Sequence, residues 1–281
     1  MPGKVLIAED DATSRTIYST FLEAQGYEVI EVANGNDALK VIEHEPVDVL
    51  LTDVVMDGLD GMALLACARD VQPNMRAIVM TSQRTPNAII AALRNQVCDF
   101  LTKPFELEEL SDSVKCAMER AVVTNIEVIS AKPDWIELRV PCDLNAVEPI
   151  QKVLSGMHDD LPKETRDAIG SVFREMLNNA IEHGGKLDPT KQVKVKYIKL
   201  KRAILYSIQD PGEGFKLEEL EHAAITNPDD NPFQHMEKRL AKGMRPGGFG
   251  IMLASQTIDE LLYNEKHNEL IFVKYIDPAQ E

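Results

Sequence analysis

Five apolar runs of strand length, each followed by a segment long enough for a helix, occupy the first 121 residues, and this alternation restricts the fold more than any other feature of the chain. The runs are Val5 to Ala8, Tyr27 to Val32, Val47 to Thr52, Ala77 to Met80 and Asp99 to Thr102. The helix-length segments are Ala12 to Gln25, Asp37 to His44, Met62 to Asp70, Asn87 to Arg94 and Leu107 to Ala121, several with an apolar stripe at helical spacing. Gly26, Pro46 and Pro73 punctuate them. A strict βα order predicts an α/β domain: a doubly wound, five-stranded parallel sheet with helices on both faces. In such sheets the functional cleft lies beyond the carboxyl ends of the strands.

Those strand ends carry the chemistry. Glu9, Asp10 and Asp11 follow the first strand, Asp53 ends the third, Thr81 follows the fourth, and Lys103-Pro104 follows the fifth. Carboxylates packed together raise each other's cost of ionisation unless a cation sits among them, so the cluster calls for a hard, oxygen-seeking ion such as Mg²⁺. A metal-supported carboxylate facing a lysine is suited to attack a phosphoryl group.

With these positions in place, residues 1–121 resemble a response-regulator receiver domain along their whole length. The resemblance implies that Asp10 and Asp11 hold Mg²⁺ together with Asp53 and the backbone carbonyl of Val55, and that Asp53 accepts phosphate from a cognate histidine kinase. It implies that Thr81 bonds the phosphoryl group, that Phe100 completes a switch pair with Thr81, and that Lys103 pairs with the phosphate. The Lys103-Pro104 bond matches the family's cis peptide. Where the family usually has Met-Pro after the phosphorylated aspartate, this chain has Met56-Asp57.

Residues 122–134 lose clear helical periodicity and end in Ala-Lys-Pro-Asp, which reads as a linker. From residue 135 to 281 the order changes to strand, two helices, a strand pair, a long irregular stretch, a helix and two strands, an α+β two-layer sandwich. Its strands read as Ile136 to Val140, Val193 to Leu200, Ala203 to Gln209, Leu261 to Asn264 and Glu269 to Ile276.

The helix Lys163 to His183 places Glu175, Asn179 and His183 at helical spacing on one face. A carboxylate and an amide four residues apart can divide the work of phosphoryl transfer, one orienting the attacking hydroxyl or water and the other holding Mg²⁺. Downstream, Asp210-Pro211-Gly212-Glu213-Gly214 follows a strand. Its glycines permit a tight turn and close approach of a ligand, and a buried Asp210 suits the adenine amino group. Arg245-Pro246-Gly247-Gly248-Phe249-Gly250-Ile251 opens a helix whose free amides can receive phosphate oxygens. Taken in this order the three segments resemble the Bergerat-fold (GHKL) ATPases, and within that group the anti-sigma-factor serine kinases. The resemblance implies that Glu175 is the general base, Asn179 the Mg²⁺ ligand, Asp210 the adenine reader, and Gly212, Gly214, Gly248 and Gly250 the nucleotide loops. His183 and Arg245 join the ATP contacts, and residues 216–246 form a lid.

The histidines are His44, His158, His183, His222, His235 and His267, and none stands on a hairpin between the domains, which argues against a histidine kinase. The expected activity is a response regulator whose aspartyl phosphorylation controls ATP-dependent phosphorylation of serine or threonine on a STAS-type anti-sigma-factor antagonist. The alternative is a nucleotide-gated switch that sequesters a sigma factor without useful catalysis. A net charge of −16, with 10 Lys and Arg against 20 Asp and Glu in residues 1–121 and 20 against 26 in the remainder, disfavours nucleic acid as a partner. The four cysteines are widely spaced, as in a reduced cytoplasmic protein, and no apolar run reaches membrane-spanning length. Relatives suggest a homodimer, formed through either the receiver or the second domain.

Overall fold

The computed structural model describes residues 3–82, 85–119, 126–214, 254 and 256–276. The chain divides into two compact units, Met1–Thr124 with Lys152–Met157, and Asn125–Gln151 with His158–Glu281.

In the first unit the strands β1 (Lys4–Ala8), β2 (Glu28–Val32), β3 (Val49–Asp53), β4 (Arg76–Thr81) and β5 (Asp99–Thr102) form a parallel sheet in the order β2-β1-β3-β4-β5. Because side chains alternate across a strand, each strand feeds two cores. Leu6, Leu50 and Val79 face one side, against Ile42 of α2 (Gly35–His44), Leu64 and Ala68 of α3 (Gly61–Val71) and Ala92 of α4 (Pro86–Arg94). Ile7, Leu51 and Met80 face the other, against Leu22 of α1 (Ala12–Ala24) and Leu110 and Val114 of α5 (Leu107–Glu119). The order reverses at β1, so the carboxyl ends of β1 and β3 open the crevice that the alternation predicts. Short polar caps set the helix starts: Asp11, Asn34, Asp60 and Thr85 each accept the backbone N–H three residues on.

The second unit holds an antiparallel sheet in the order β10-β11-β9-β8-β7-β6. Its strands are β6 (Glu127–Lys132), β7 (Trp135–Pro141), β8 (Gln192–Leu200), β9 (Ala203–Gln209), β10 (Glu260–Tyr263) and β11 (Glu269–Tyr275). The helix α7 (Lys163–Asn179) belongs to the same unit, as does α6 (Val147–Ser155) as far as Gln151. One sheet face is buried through Leu138, Val195, Tyr197, Tyr206 and Phe272, and Phe173 of α7 packs on Tyr206 with ring centroids 5.0 Å apart.

Two expectations are corrected. Residues 127–132, expected within the linker, are the edge strand β6, paired antiparallel with β7 from Glu127↔Arg139 to Lys132↔Trp135. The register shifts between Val128 and Ser130, so an irregular strand with a bulge hides the alternation that would have revealed it. The helix expected to reach His183 ends at Asn179, where the backbone widens into a π turn over Ala180–Gly184 closed by Gly185 N–H to the Ala180 carbonyl at 2.8 Å.

Candidate functional site

At the β1 and β3 ends, Glu9, Asp10 and Asp53 bring one carboxylate oxygen each to within 4.8 Å of one another. Arg15 from α1 holds the β1–α1 turn by donating to the Glu9 carbonyl at 2.6 Å and the Asp10 carbonyl at 3.3 Å. Asp53 is 9% exposed, and its Oδ1 accepts the Val55 N–H at 3.0 Å. Gly61 lets α3 start against the end of β3, since a β carbon there would fall 1.9 Å from the Asp53 carbonyl oxygen.

Lys103 reaches across from the end of β5, its Nζ bonding Glu9 Oε2 at 2.6 Å and Asp53 Oδ2. Burial works against the ammonium charge, but the hydrogen bonds to Asp53 and Glu9 outweigh it and hold the Lys103 pKa above that of a free lysine. Burial pushes the Glu9 carboxyl up, against the pull of Lys103. The Lys103-Pro104 bond is cis. Thr81 and Phe100 are each 2% exposed, Thr81 at the end of β4 and Phe100 in the core shared with α4.

The structure replaces one expected ligand. Asp11 lies outside the carboxylate cluster and caps α1, accepting the Ser14 N–H at 2.7 Å, while Glu9 occupies the cluster with Asp10. The signal was available: a β strand ending at Ala8 places Glu9 at its carboxyl end, and an Asp immediately before Ala12 sits at a helix N-cap. Three oxygen donors at this spacing fit a hard divalent cation such as Mg²⁺. Val55 is 70% exposed at the rim.

In the second unit the π turn brings two glycines against the sheet. A β carbon on Gly184 would lie 2.3 Å from the Asp210 carboxylate, and one on Gly185 would lie 2.2 Å from the Cys142 sulfur. Asp210 Oδ1 accepts the Gly212 N–H at 2.7 Å. Burial raises the Asp210 pKa, with the Gly212 N–H pulling the other way. Gly212 packs 3.1 Å (ideal β carbon) from the Gly184 Cα, and Gly214 has φ of 85° with its ideal β carbon 1.6 Å from the Lys266 carbonyl oxygen. This is a cradle only glycine can line. Glu175 and Asn179 are half-buried on α7, whereas His183, in the π turn, is exposed. Arg245, Gly248 and Gly250, with the lid residues 216–246, lie outside the described residues. Sequence reading also passed over Asn264 and Asn268, in the β10–β11 connection; Asn268 Nδ2 donates to the Gly212 carbonyl at 3.2 Å.

Residues 5–115 match the response regulator receiver domain family, and residues 140–274 match the histidine kinase-like ATPase domain family. The transcriptional regulatory protein GlrR of Escherichia coli (strain K12) is 28% identical over 190 residues, 66% of this chain and 41% of that protein. The DNA-binding transcriptional regulator NtrC of Azospirillum brasilense is 32% identical over 186 residues, 65% of this chain and 38% of that protein. The chain thus spans less than half the length of these curated relatives. Among solved structures, a CheY-like receiver domain protein from Methanospirillum hungatei JF-1 is 25% identical with a TM-score of 0.42, covering 42% of this chain and 95% of that one.

A five-stranded parallel sheet with an acidic crevice and a matching family defines the first unit as a receiver domain. The antiparallel sheet with helices fits the ATPase domain that follows it. The chain therefore carries a receiver domain over residues 5–115 and a histidine kinase-like ATPase domain over residues 140–274, as in a receiver fused to a GHKL-type ATPase. No helix among the described residues is long and apolar enough to cross a membrane.

Proposed function

We propose that phosphorylation of Asp53 by a cognate histidine kinase controls an output domain that transfers the ATP γ-phosphoryl group to serine or threonine on a protein partner, of the STAS antagonist class. In the receiver step an Asp53 carboxylate oxygen attacks the phosphorus of phosphohistidine; the phosphorus–nitrogen bond breaks and the imidazole leaves. Lys103, already bonded to Asp53 and Glu9, is positioned to pair with the transferred phosphoryl oxygens. The Glu9, Asp10 and Asp53 carboxylates would hold Mg²⁺, whose charge offsets that of the phosphoryl group. The Thr81 hydroxyl donates a hydrogen bond to a phosphoryl oxygen and couples it to Phe100.

In the output domain, Asp210 accepts the adenine amino group, Gly212 and Gly214 let the nucleotide approach the backbone, and Asn179 holds Mg²⁺. Glu175 takes the proton of the partner's hydroxyl as its oxygen attacks the γ-phosphorus and ADP departs. The observation that carries the reading is the half-buried Asp210 carboxylate seated on Gly184, just beyond the helix that bears Glu175 and Asn179. The charge of −16 supports a protein rather than a nucleic acid as the output's target.

Transfer from ATP labelled at the γ-phosphoryl group tests it. The expected result is label on serine or threonine of a STAS-domain partner, lost in Glu175→Ala, with Asn179→Ala abolishing Mg²⁺-dependent ATP binding. Label released only as free phosphate would replace the kinase by an ATPase. ATP retained unchanged would leave a nucleotide-gated, partner-binding switch.

A further inference from the structure

Asn264 and Asn268 form an interlocked pair across the β10–β11 connection. Asn264 Oδ1 accepts the Asn268 and Glu269 N–H groups at 3.0 and 3.2 Å, and Asn264 Nδ2 donates to Asn268 Oδ1 at 2.8 Å. Because that bond occupies the oxygen of the Asn268 carboxamide, its nitrogen must face the other way. There it donates to the Gly212 carbonyl at 3.2 Å and lies 3.5 Å from the Asp210 carbonyl. The backbone closes the same junction, with Asp210 N–H bonded to the Asn268 carbonyl at 2.9 Å. Gly214 seats on the Lys266 carbonyl of the same connection.

We infer that Asn268 is a positioning residue for the nucleotide site: its carboxamide holds the Asp210–Gly212 turn against the β10–β11 connection and so sets the direction of the Asp210 carboxylate. The inference rests on the proposed reading of Asp210 as the adenine acceptor. One Asp210 oxygen is committed to the Gly212 N–H, so the direction of the other follows the orientation of the turn's peptides. Those peptides are held by the Asn268 amide. Removing the amide leaves carbonyls of the turn without that donor and frees them to rotate toward water, carrying the carboxylate with them. The Asn264 side chain acts at one remove, by fixing which end of the Asn268 carboxamide faces the turn.

The test compares ATP with inosine triphosphate, which lacks the exocyclic amine, on the full chain, by displacement of a fluorescent nucleotide. Asp210→Ala supplies the reference, expected to erase the preference for ATP. Asn268→Ala is expected to weaken ATP roughly tenfold while changing inosine triphosphate by no more than about twofold, the loss of one oriented hydrogen bond. Asp210→Ala combined with Asn268→Ala should lose no further preference. Asn264→Ala, which removes three hydrogen bonds outside the turn, should move the ratio in the same direction by less, and Asn268→Asp, which keeps the side-chain shape and removes only the donor, serves if Asn268→Ala does not fold. Equal weakening of both nucleotides, or an unchanged ratio in Asn268→Ala with a collapsed one in Asp210→Ala, overturns the inference alone. An unchanged ratio in Asp210→Ala overturns the adenine reading, and this inference with it.

Discussion

Gly184 lies directly beneath Asp210: a β carbon on the glycine would fall 2.3 Å from both the carboxyl carbon and Oδ1 of the aspartate. The contact joins the end of the α7 π turn to the end of β9, and the aspartate side chain is too short to swing clear. Gly184→Ala is expected to weaken ATP binding at least about tenfold and to cost about 1–3 kcal/mol of stability, the usual penalty for an added methylene in a packed site. Nucleotide titration and urea unfolding of the same sample check it.

The exchange of Asp11 for Glu9 in the acidic cluster makes a discriminating set of substitutions. Asp10→Asn and Glu9→Gln each remove one anionic ligand from a site whose affinity follows ligand charge, so Mg²⁺ binding by calorimetry should weaken about tenfold or more. Asp11→Asn keeps an equally good N-cap and should leave Mg²⁺ affinity within about twofold. Asp11→Ala should cost about 1 kcal/mol of receiver stability with the same small effect on metal.

His158 is 2% exposed, its Nε2 lies 3.3 Å from the Tyr206 hydroxyl, and burial lowers its pKa from 6.5 to about 4. The folded chain therefore resists protonation that the unfolded chain accepts. Its contribution is complete above the unfolded pKa and is lost as pH falls from about 6.5 toward about 4. At pH 5 the loss is about 2 kcal/mol, at about 1.4 kcal/mol per pH unit. Trp135, the single tryptophan, stands on β7 in the same unit and reports its unfolding. Urea midpoints followed by its emission should fall between pH 7 and pH 5 in the native chain and by less than half as much in His158→Gln.

Strand β6 makes a prediction that a linker would not. Val128 stands opposite Leu138 on the buried side of the sheet. Val128→Asp would place a carboxylate there and should destabilise the second unit by about 1–3 kcal/mol, read from Trp135 emission, whereas Glu127→Ala at the exposed start of the strand should change it by less than about 0.5 kcal/mol.

Periodicity along the chain carried the receiver's architecture. Alternating apolar strands and amphipathic segments leave few ways to bury both sheet faces, so β5 and the carboxylate crevice at the strand ends could be placed from local pattern alone. The Asp210-to-Gly214 turn was legible for the same reason, since glycines after a strand mark close backbone approach. What local pattern could not hold was any relation set by pairing or packing across distance. Tertiary structure decided that the bulged segment 127–132 joins the sheet, that α7 widens before His183, and that Asn268 braces the turn from 56 residues away in sequence. Each of these depends on which backbone groups remain to be satisfied once strands and helices have met, and that is known only when distant segments are packed together.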